Sequence, residues 1–350
     1  MDRAQRERET QRKPNLCSIT LAAGKGTRIG PTGTHKTCLP VCGKPVIVRT
    51  IEALKAAGVS LHVVVVGTRA EHVLKTVGSA FSDVLFAYQP EPLGTGNAAK
   101  YGAAVLNSIG YDGGVLIVAG DKLIEPRVIT KMVRKFRSSR LDCLFLVGRR
   151  EDSPESGRVI FDENNRPVRI IETADIRKAR VLSRILAQAQ KGEVSPESVA
   201  EAIACQGMHP RKARLAFGEL CDFAAGNLRL SRDELMSLIP RDATFFRVSC
   251  QGRARKLSAD EADSADCVNL SLYLLKGSAL QFAIRRIKPD NAQCEEYLPD
   301  IIEILAKATE GAHPAYSLGT VTADEQHPVL GFNSLEELRR IEEFLRHKQL

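Results

Sequence analysis

The run Leu16-Cys17-Ser18-Ile19-Thr20-Leu21 leads straight into Ala22-Ala23-Gly24-Lys25-Gly26-Thr27-Arg28, and this junction decides how the chain is read. The first part is apolar and rich in strand-forming residues, the pattern of a buried strand. The second part is a glycine-rich, cationic turn. Gly24 and Gly26 carry no side chain, so backbone N–H groups there can approach an anion closely. Arg28 adds a forked cation that matches phosphate oxygens. A strand feeding such a turn is a phosphate-binding device.

The whole composition agrees with a phosphate-bearing small ligand. The chain has 350 residues, 43% hydrophobic and 26% charged, with a formal charge of +8. That length suits one large or two modest domains with a buried core. Aromatic residues make up only 5%, and the Lys and Arg residues are scattered. Single-stranded nucleic-acid binders interleave aromatics with basic residues, so nucleic acid is not expected as a partner. No apolar run is long enough to span a membrane, and none is expected to. The nine cysteines are odd in number, and several sit inside apolar runs (Cys17, Cys143, Cys267). This usage reads as reduced thiols in a cytoplasmic protein. Cys38 and Cys42 are too isolated for half a zinc site. Met1 to Asn15 is polar and charge-rich, reads as disordered, and is no secretory signal.

From Leu16 to Gly148 short apolar runs alternate with amphipathic stretches. Strands are expected at Leu16–Leu21, Leu61–Val66, Val84–Tyr88, Val115–Ala119 and Leu141–Val147. Helices are expected at Val46–Ala57, Arg69–Val77, Gly96–Leu106 and Pro126–Ser138. Such alternation implies βαβ units and a mainly parallel sheet with ligands at the strands' C-terminal ends. The opening turn lies at one such end, and Gly120-Asp121 lies at another. Beyond Gly148, Arg158–Phe161 and Val168–Ile171 read as a hairpin around Glu163-Asn164-Asn165-Arg166-Pro167. Thr173 to Asp266 breaks the alternation. It opens with a helical pattern over Ile176–Ala189 and carries cap signals at Ser195-Pro196 and Ser231-Arg232-Asp233-Glu234. It reads as a mostly helical insertion. Cys267–Leu275 resumes the core, and a helix over Ser334–His347 closes the chain.

Other glycine motifs can be set aside. A dinucleotide fingerprint needs a third glycine where Ile29 stands, and a Walker loop needs Ser or Thr where Pro45 follows Gly43-Lys44. What remains is Leu-Ala-Ala-Gly-x-Gly-Thr-Arg (Leu21 to Arg28), Lys36, Leu39-Pro40 and Gly43-Lys44-Pro45. Further on come Gln89-Pro90-Glu91-Pro92-Leu93-Gly94-Thr95-Gly96-Asn97-Ala98, Gly120-Asp121, Ser156-Gly157-Arg158-Val159, Ile171-Glu172 and Val268-Asn269. The last are Asn291-Ala292-Gln293-Cys294-Glu295-Glu296-Tyr297-Leu298-Pro299-Asp300-Ile301 and Gly331-Phe332-Asn333.

This ordered set resembles the sugar-1-phosphate nucleotidyltransferases. Within them it looks most like the uridylyltransferase domain of the bifunctional N-acetylglucosamine-1-phosphate enzymes. The resemblance runs from residue 16 to residue 345 apart from the insertion. It implies a Rossmann-like α/β fold with a mixed, mainly parallel sheet flanked by helices (the nucleotide-diphospho-sugar transferase fold), carrying a helical insertion. The implied domains are a nucleotidyltransferase domain over 16–172 and 267–350, with 173–266 inserted. It also implies Mg²⁺ as cofactor, UTP as donor and N-acetylglucosamine-1-phosphate as acceptor. Leu21, Ala22, Ala23, Gly24, Gly26, Gln89, Gly94 and Thr95 would bind the nucleotide, with Gln89 reading the base. Arg28, Lys36 and Asp121 would be catalytic. Asp121 and Asn333 would hold the metal, and Gly157, Glu172 and Asn269 would contact the sugar. The β-helix that carries acetyl transfer in the bifunctional enzymes has no counterpart, so that activity is not expected.

The reaction suits these residues. A sugar phosphate oxygen attacks the α-phosphorus of a triphosphate and pyrophosphate leaves, so cations must offset the repulsion of two anions, and no protein nucleophile is needed. Taken alone, the residues leave plainer roles open. Arg28 and Lys36 fit surface cations, and Gln89 fits a solvent-facing loop. Asp121 and Asn333 fit helix caps, and Glu172 and Asn269 fit strand-edge polar groups. Related thymidylyl, guanylyl or cyclitol-phosphate transferases, and a non-catalytic nucleotide-sugar sensor, also stay open. The chain departs from the family pattern at His35, where proline is usual, in a longer loop, and at Lys122 beside Asp121. The insertion springs from beside Glu172. It leaves an acceptor cover, altered selectivity, a homo-oligomer contact or mere decoration as its role.

Overall fold

The computed structural model describes residues 16–24, 33–250, 253–311, 313–323, 329–332 and 334–348. The N-terminal segment read as disordered lies outside these, as do Gly26, Arg28 and Asn333. The chain forms two compact units: Met1–Gly148 with Leu270–Ile287 and Ile304–Leu350, and Arg149–Asn269 with Lys288–Glu303.

The first unit is built on βαβ alternation: β1 (Leu16–Ala22), α1 (Val46–Ala56), β2 (Leu61–Val66), α2 (Ala70–Ala80), β3 (Val84–Tyr88), α3 (Thr95–Ser108), β4 (Gly114–Ala119), α4 (Pro126–Ser139) and β5 (Cys143–Arg149). β1 lies between β2 and β4, parallel to both, and β3 runs parallel to β2. The strand Cys267–Lys276, from Leu272 on, is antiparallel to β4, and Leu318–Thr322 is parallel to β5. The sheet is therefore mixed and mainly parallel, as the alternation implies. Ile47, Ile51, Val73 and Val77 of α1 and α2 pack with Val64 and Val66 on one face. α3 packs so tightly that a Cβ on Gly102 would stand 2.5 Å from Ile19 Cγ2. Leu338 and Ile341 of the last helix, Leu335–Lys348, pack with Leu39, Val41, Val46, Leu123 and Phe332.

The expected strand at Leu141 starts later because Asp142 is tied up elsewhere. Its carboxylate accepts from Ser317 N and Lys276 Nζ, each at 2.8 Å, which makes it a turn anchor.

In the second unit, β6 (Arg158–Phe161) and β7 (Pro167–Ile171) form the expected hairpin, and Asn165 takes the left-handed conformation in its turn. Val268 pairs with Arg158. The residues read as an insertion belong to this unit. α5 (Thr173–Lys191), α6 (Pro196–Ala204), α7 (Pro210–Phe217), α8 (Glu219–Ala224) and α9 (Arg232–Ser237) enclose a core of Val181, Leu182, Ile185, Val199, Phe217 and Leu235. Ser231 forms the capping box its spacing predicts, and Ser195, read as a cap before Pro196, closes a box with Ser198. The hairpin Phe246–Cys250 with Arg253–Leu257 is an element the sequence reading missed.

One buried polar pair makes the first unit sensitive to pH. Ser18 Oγ and His62 Nδ1 lie 2.8 Å apart between β1 and β2, and His62 Nε2 has no hydrogen-bond partner among the described residues. Burial pushes the imidazole down to about 4, with Lys55 adding to the shift and Asp83 opposing it. An unfolded histidine titrates near ~6.5, so between there and about 4 the unfolded chain binds more protons and stability falls as pH drops. In denaturant unfolding, the advantage of the wild type over His62→Gln should shrink by about 3 kcal/mol as pH falls through that window. A constant difference would remove this assignment.

Candidate active site

Parallel pairing brings four loop starts to one edge of the first unit's sheet. Ala23-Gly24 follows β1, Gly67 follows β2, Gln89 follows β3 and Gly120-Asp121 follows β4. The approach is close. A Cβ on Gly67 would lie 2.9 Å from Ala23 O and 3.1 Å from Gln89 O, and Gly120 N donates to Leu21 O at 2.8 Å. Leu21, Ala22, Ala23 and Gly24 thus lie at the edge where α/β sheets bind ligands.

Lys36 opens a one-turn helix, Lys36–Cys38, capped by His35. The His35 imidazole is buried, and Nε2 donates to Gly24 O at 2.9 Å while Nδ1 lies 2.9 Å from Thr37 Oγ1. Burial holds its pKa below the ordinary value, the bond to Gly24 opposing, with His72 and Arg69 adding to the fall and Asp121 opposing it. His35, read from the sequence as a loop polar residue, is the strap that ties Gly24 to the start of the Lys36 turn. Only its place, eleven positions past Gly24 and directly before a cation, hinted at this.

The Lys36 ammonium pairs with Asp121 Oδ2 and lies 5.0 Å from the Phe332 ring centroid. The two side chains are only 13% and 26% exposed. Burial disfavours the Asp121 carboxylate, but Lys36 and Lys122 together outweigh it and hold its pKa below the usual range. Lys122 is buried enough for desolvation to lower its own pKa, with Asp121 opposing and Lys36 reinforcing. Its side chain crosses Gly331, whose missing Cβ would stand 2.9 Å from Nζ. Leu330 and Gly331 pair with Leu123 and Lys122. Asn333 lies outside the described residues.

Gln89 is 3% exposed and so is not the solvent-facing residue a plain loop would give. Its Nε2 donates to Asn97 Oδ1 at 2.9 Å and faces Gly94 O at 3.4 Å. Gly94 is the N-cap of α3 with φ +117°, a conformation closed to side-chain-bearing residues, and Thr95 is the first helical residue.

The second unit gathers the other three residues. Asn269 N donates to Gly157 O at 2.9 Å, and the Glu172 carboxylate lies against Gly157. Burial, with repulsion from Asp175 and Asp300, lifts Glu172 to about 7 against the pull of Arg158. Asp300 is likewise raised to about 7, by burial and then Asp175 and Glu303, with Arg169 opposing. Asp175 and Asp300 were not singled out from sequence. Asp175 accepts from Ala292 N at 2.6 Å, which anchors the Asn291–Tyr297 run. Arg158, 3% exposed, is locked to Asp263 Oδ1 at 2.8 Å.

A MobA-like NTP transferase domain matches residues 18–261. The chain belongs to the MobA-like NTP transferase family. Bifunctional protein GlmU of Pelobacter propionicus is 39% identical over 162 residues, 46% of this chain and 34% of that protein. GlmU of Pelotomaculum thermopropionicum is 25% identical over 337 residues, 96% of this chain and 53% of that protein. The match to the Pelobacter relative thus spans about a third of its length. A solved structure of UDP-glucose pyrophosphorylase complexed with UDP-glucose superposes with a TM-score of 0.55 at 15% identity, covering 95% of this chain and 99% of that one. The likeness shows a shared fold. Among the described residues, no helix of this NTP transferase is long and apolar enough to cross a membrane.

Two glycines of the family pattern behave differently under substitution. A Cβ on Gly157 would stand 2.6 Å from Glu172 Oε1 and 2.9 Å from Ile170 Cγ2, so Gly157→Ala should destabilise by about 1–3 kcal/mol in urea unfolding. A Cβ on Gly24 meets nothing within 4 Å, so Gly24→Ala should stay within about 0.5 kcal/mol of wild type. Equal stability for the two variants would contradict this packing.

Proposed function

We propose that the chain is a Mg²⁺-dependent sugar-1-phosphate nucleotidyltransferase. UTP is its favoured donor and N-acetylglucosamine-1-phosphate its favoured acceptor. An acceptor phosphate oxygen bonds to the α-phosphorus, the bond to the α–β bridging oxygen breaks, and pyrophosphate leaves. The observation that carries this reading is the ion pair of Lys36 and Asp121, drawn from distant parts of the chain to the strand edge where Gly24 and Gln89 lie. Family membership and the ordered motifs add support.

The chemistry asks for charge placement. Lys36 is the cation poised to exchange its carboxylate partner for phosphate oxygens, which brings the triphosphate's charge to a prepared counter-charge. Lys122 adds positive potential beside it, and Arg28 is proposed for the same task. The Asp121 carboxylate, held ionised, is the hard oxygen donor that would hold Mg²⁺. Asn333 is proposed as a second ligand. When bound, the ion offsets charge on the phosphates. Among the described residues no group of three or more His, Cys, Asp or Glu could hold a metal by itself, which fits an ion shared with substrate. Gly157, Glu172 and Asn269 are proposed for the sugar, and a cytoplasmic location follows from the same reading.

Pyrophosphate release should be measured over a panel of UTP, dTTP, CTP and GTP against several sugar-1-phosphates. Release with UTP and N-acetylglucosamine-1-phosphate is expected. Asp121→Asn should keep the fold by circular dichroism and lose about a hundredfold or more in turnover. Release from no pair would sink the enzymatic reading, and full activity in Asp121→Asn would sink the metal assignment.

A further inference from the structure

The carboxamide of Gln89 is held from one side only. Its backbone N–H donates to Val66 O at 2.8 Å, which fixes where the side chain starts. Its Nε2 lies between Asn97 Oδ1 at 2.9 Å and the Gly94 carbonyl at 3.4 Å. A backbone carbonyl only accepts, so the nitrogen end of the amide must face it. Asn97, in the first turn of α3, offers an acceptor to the same nitrogen. No donor among the described residues meets Gln89 Oε1, although the residue is 3% exposed. Among the described residues the fully enclosed unpartnered side-chain atoms lie elsewhere, so this oxygen is reachable from outside and open to a donor.

We propose that Asn97 is a positioning residue for base selection. By holding the Gln89 nitrogen, with help from Gly94 O, it leaves only an acceptor oxygen for the base. A pyrimidine with a ring N–H at N3, uracil or thymine, satisfies that oxygen. Cytosine presents an acceptor at N3 and would meet it lone pair to lone pair, leaving both unsatisfied. This rests on the nucleotidyltransferase reading and narrows its donor by hydrogen-bond polarity.

The full-length protein is titrated calorimetrically with UTP, CTP and N3-methyl-UTP, which lacks the ring N–H, and pyrophosphate release is followed in parallel. Wild type should favour UTP over each of the others by about tenfold or more. In Asn97→Ala the UTP-to-CTP ratio should fall to within about threefold, with KM for UTP rising more than kcat falls. Asn97→Asp keeps an acceptor and should keep the ratio, even where its charge weakens all triphosphates. An unchanged ratio in Asn97→Ala, whatever its melting temperature, would reduce the bond to loop closure and overturn the proposal alone. Equal binding of UTP and N3-methyl-UTP by wild type would overturn it without any variant. No nucleotide binding and no pyrophosphate release would overturn the enzymatic reading and this proposal together.

Discussion

Register in the three central strands of the first unit positions everything at the candidate site. β1 pairs on both sides, Leu21 standing beside Val65 on β2 and Ala119 on β4. The three strands therefore end level, and the residues that follow them emerge at one edge. A slip by one residue would turn Ile19 and its neighbours to the other face and carry Gly120 away from Leu21 O. The slip is resisted by burial, since β1 is covered on both faces, and by Gly102 and Gly67, whose missing side chains admit Ile19 and Ala23. The site's geometry is thus a consequence of core packing, with the loops adding chemistry to ends already aligned.

The electrostatics follow from that alignment. Lys36, Lys122 and Asp121 place two cations and one anion where desolvation is substantial. Such a group is costly to hold by itself, and pairing Lys36 with Asp121 lowers the cost, while the Glu337 carboxylate acts on Lys122 as a further counter-charge. The second unit has the opposite character around Glu172. There Asp175 and Asp300 crowd a buried carboxyl, and proton uptake relieves the repulsion. The two groups thus carry opposite electrostatic character, paired cations in one and crowded carboxyls in the other.

Much of the first unit was legible in the sequence because burial on both faces writes continuous apolar runs, as at Leu61–Val66, and amphipathic helices write a repeating stripe. Gly94 and Gly157 were legible because a φ of +117° at the first and the approach of Glu172 and Ile170 to the second leave no easy substitute for glycine. Three things were not. The hairpin Phe246–Leu257 alternates only on its first strand, while Ala254, Arg255 and Lys256 are exposed and carry no strand signal. The strap made by His35 depends on a chain reversal that local pattern does not encode. The neighbourhood of Glu172 is set by nearby Asp175 and also by Asp300, far along the chain, and spacing says nothing about the second meeting.

At two places where the chain departs from the sequence pattern it resembles, the local backbone is held by its own packing and hydrogen bonds. Cys294 stands where the family run has glycine and still takes φ +53°, a conformation that costs a side-chain-bearing residue about 1–2 kcal/mol. That cost is accepted because the turn is over-determined. Asn291 Oδ1 accepts from Gln293 N and Glu295 N at 3.2 Å, and Gln293 Nε2 donates to Tyr297 Oη at 2.7 Å. The Lys122 side chain lies over Gly331, where a Cβ would stand 2.9 Å from Nζ and push the lysine aside. Side-chain hydrogen bonds fix where the backbone of the Cys294 turn runs. Side chains held by a fixed backbone can vary what they present without a change of fold, and the proposed hold of Asn97 on Gln89 would put the donor half of substrate choice at that bond.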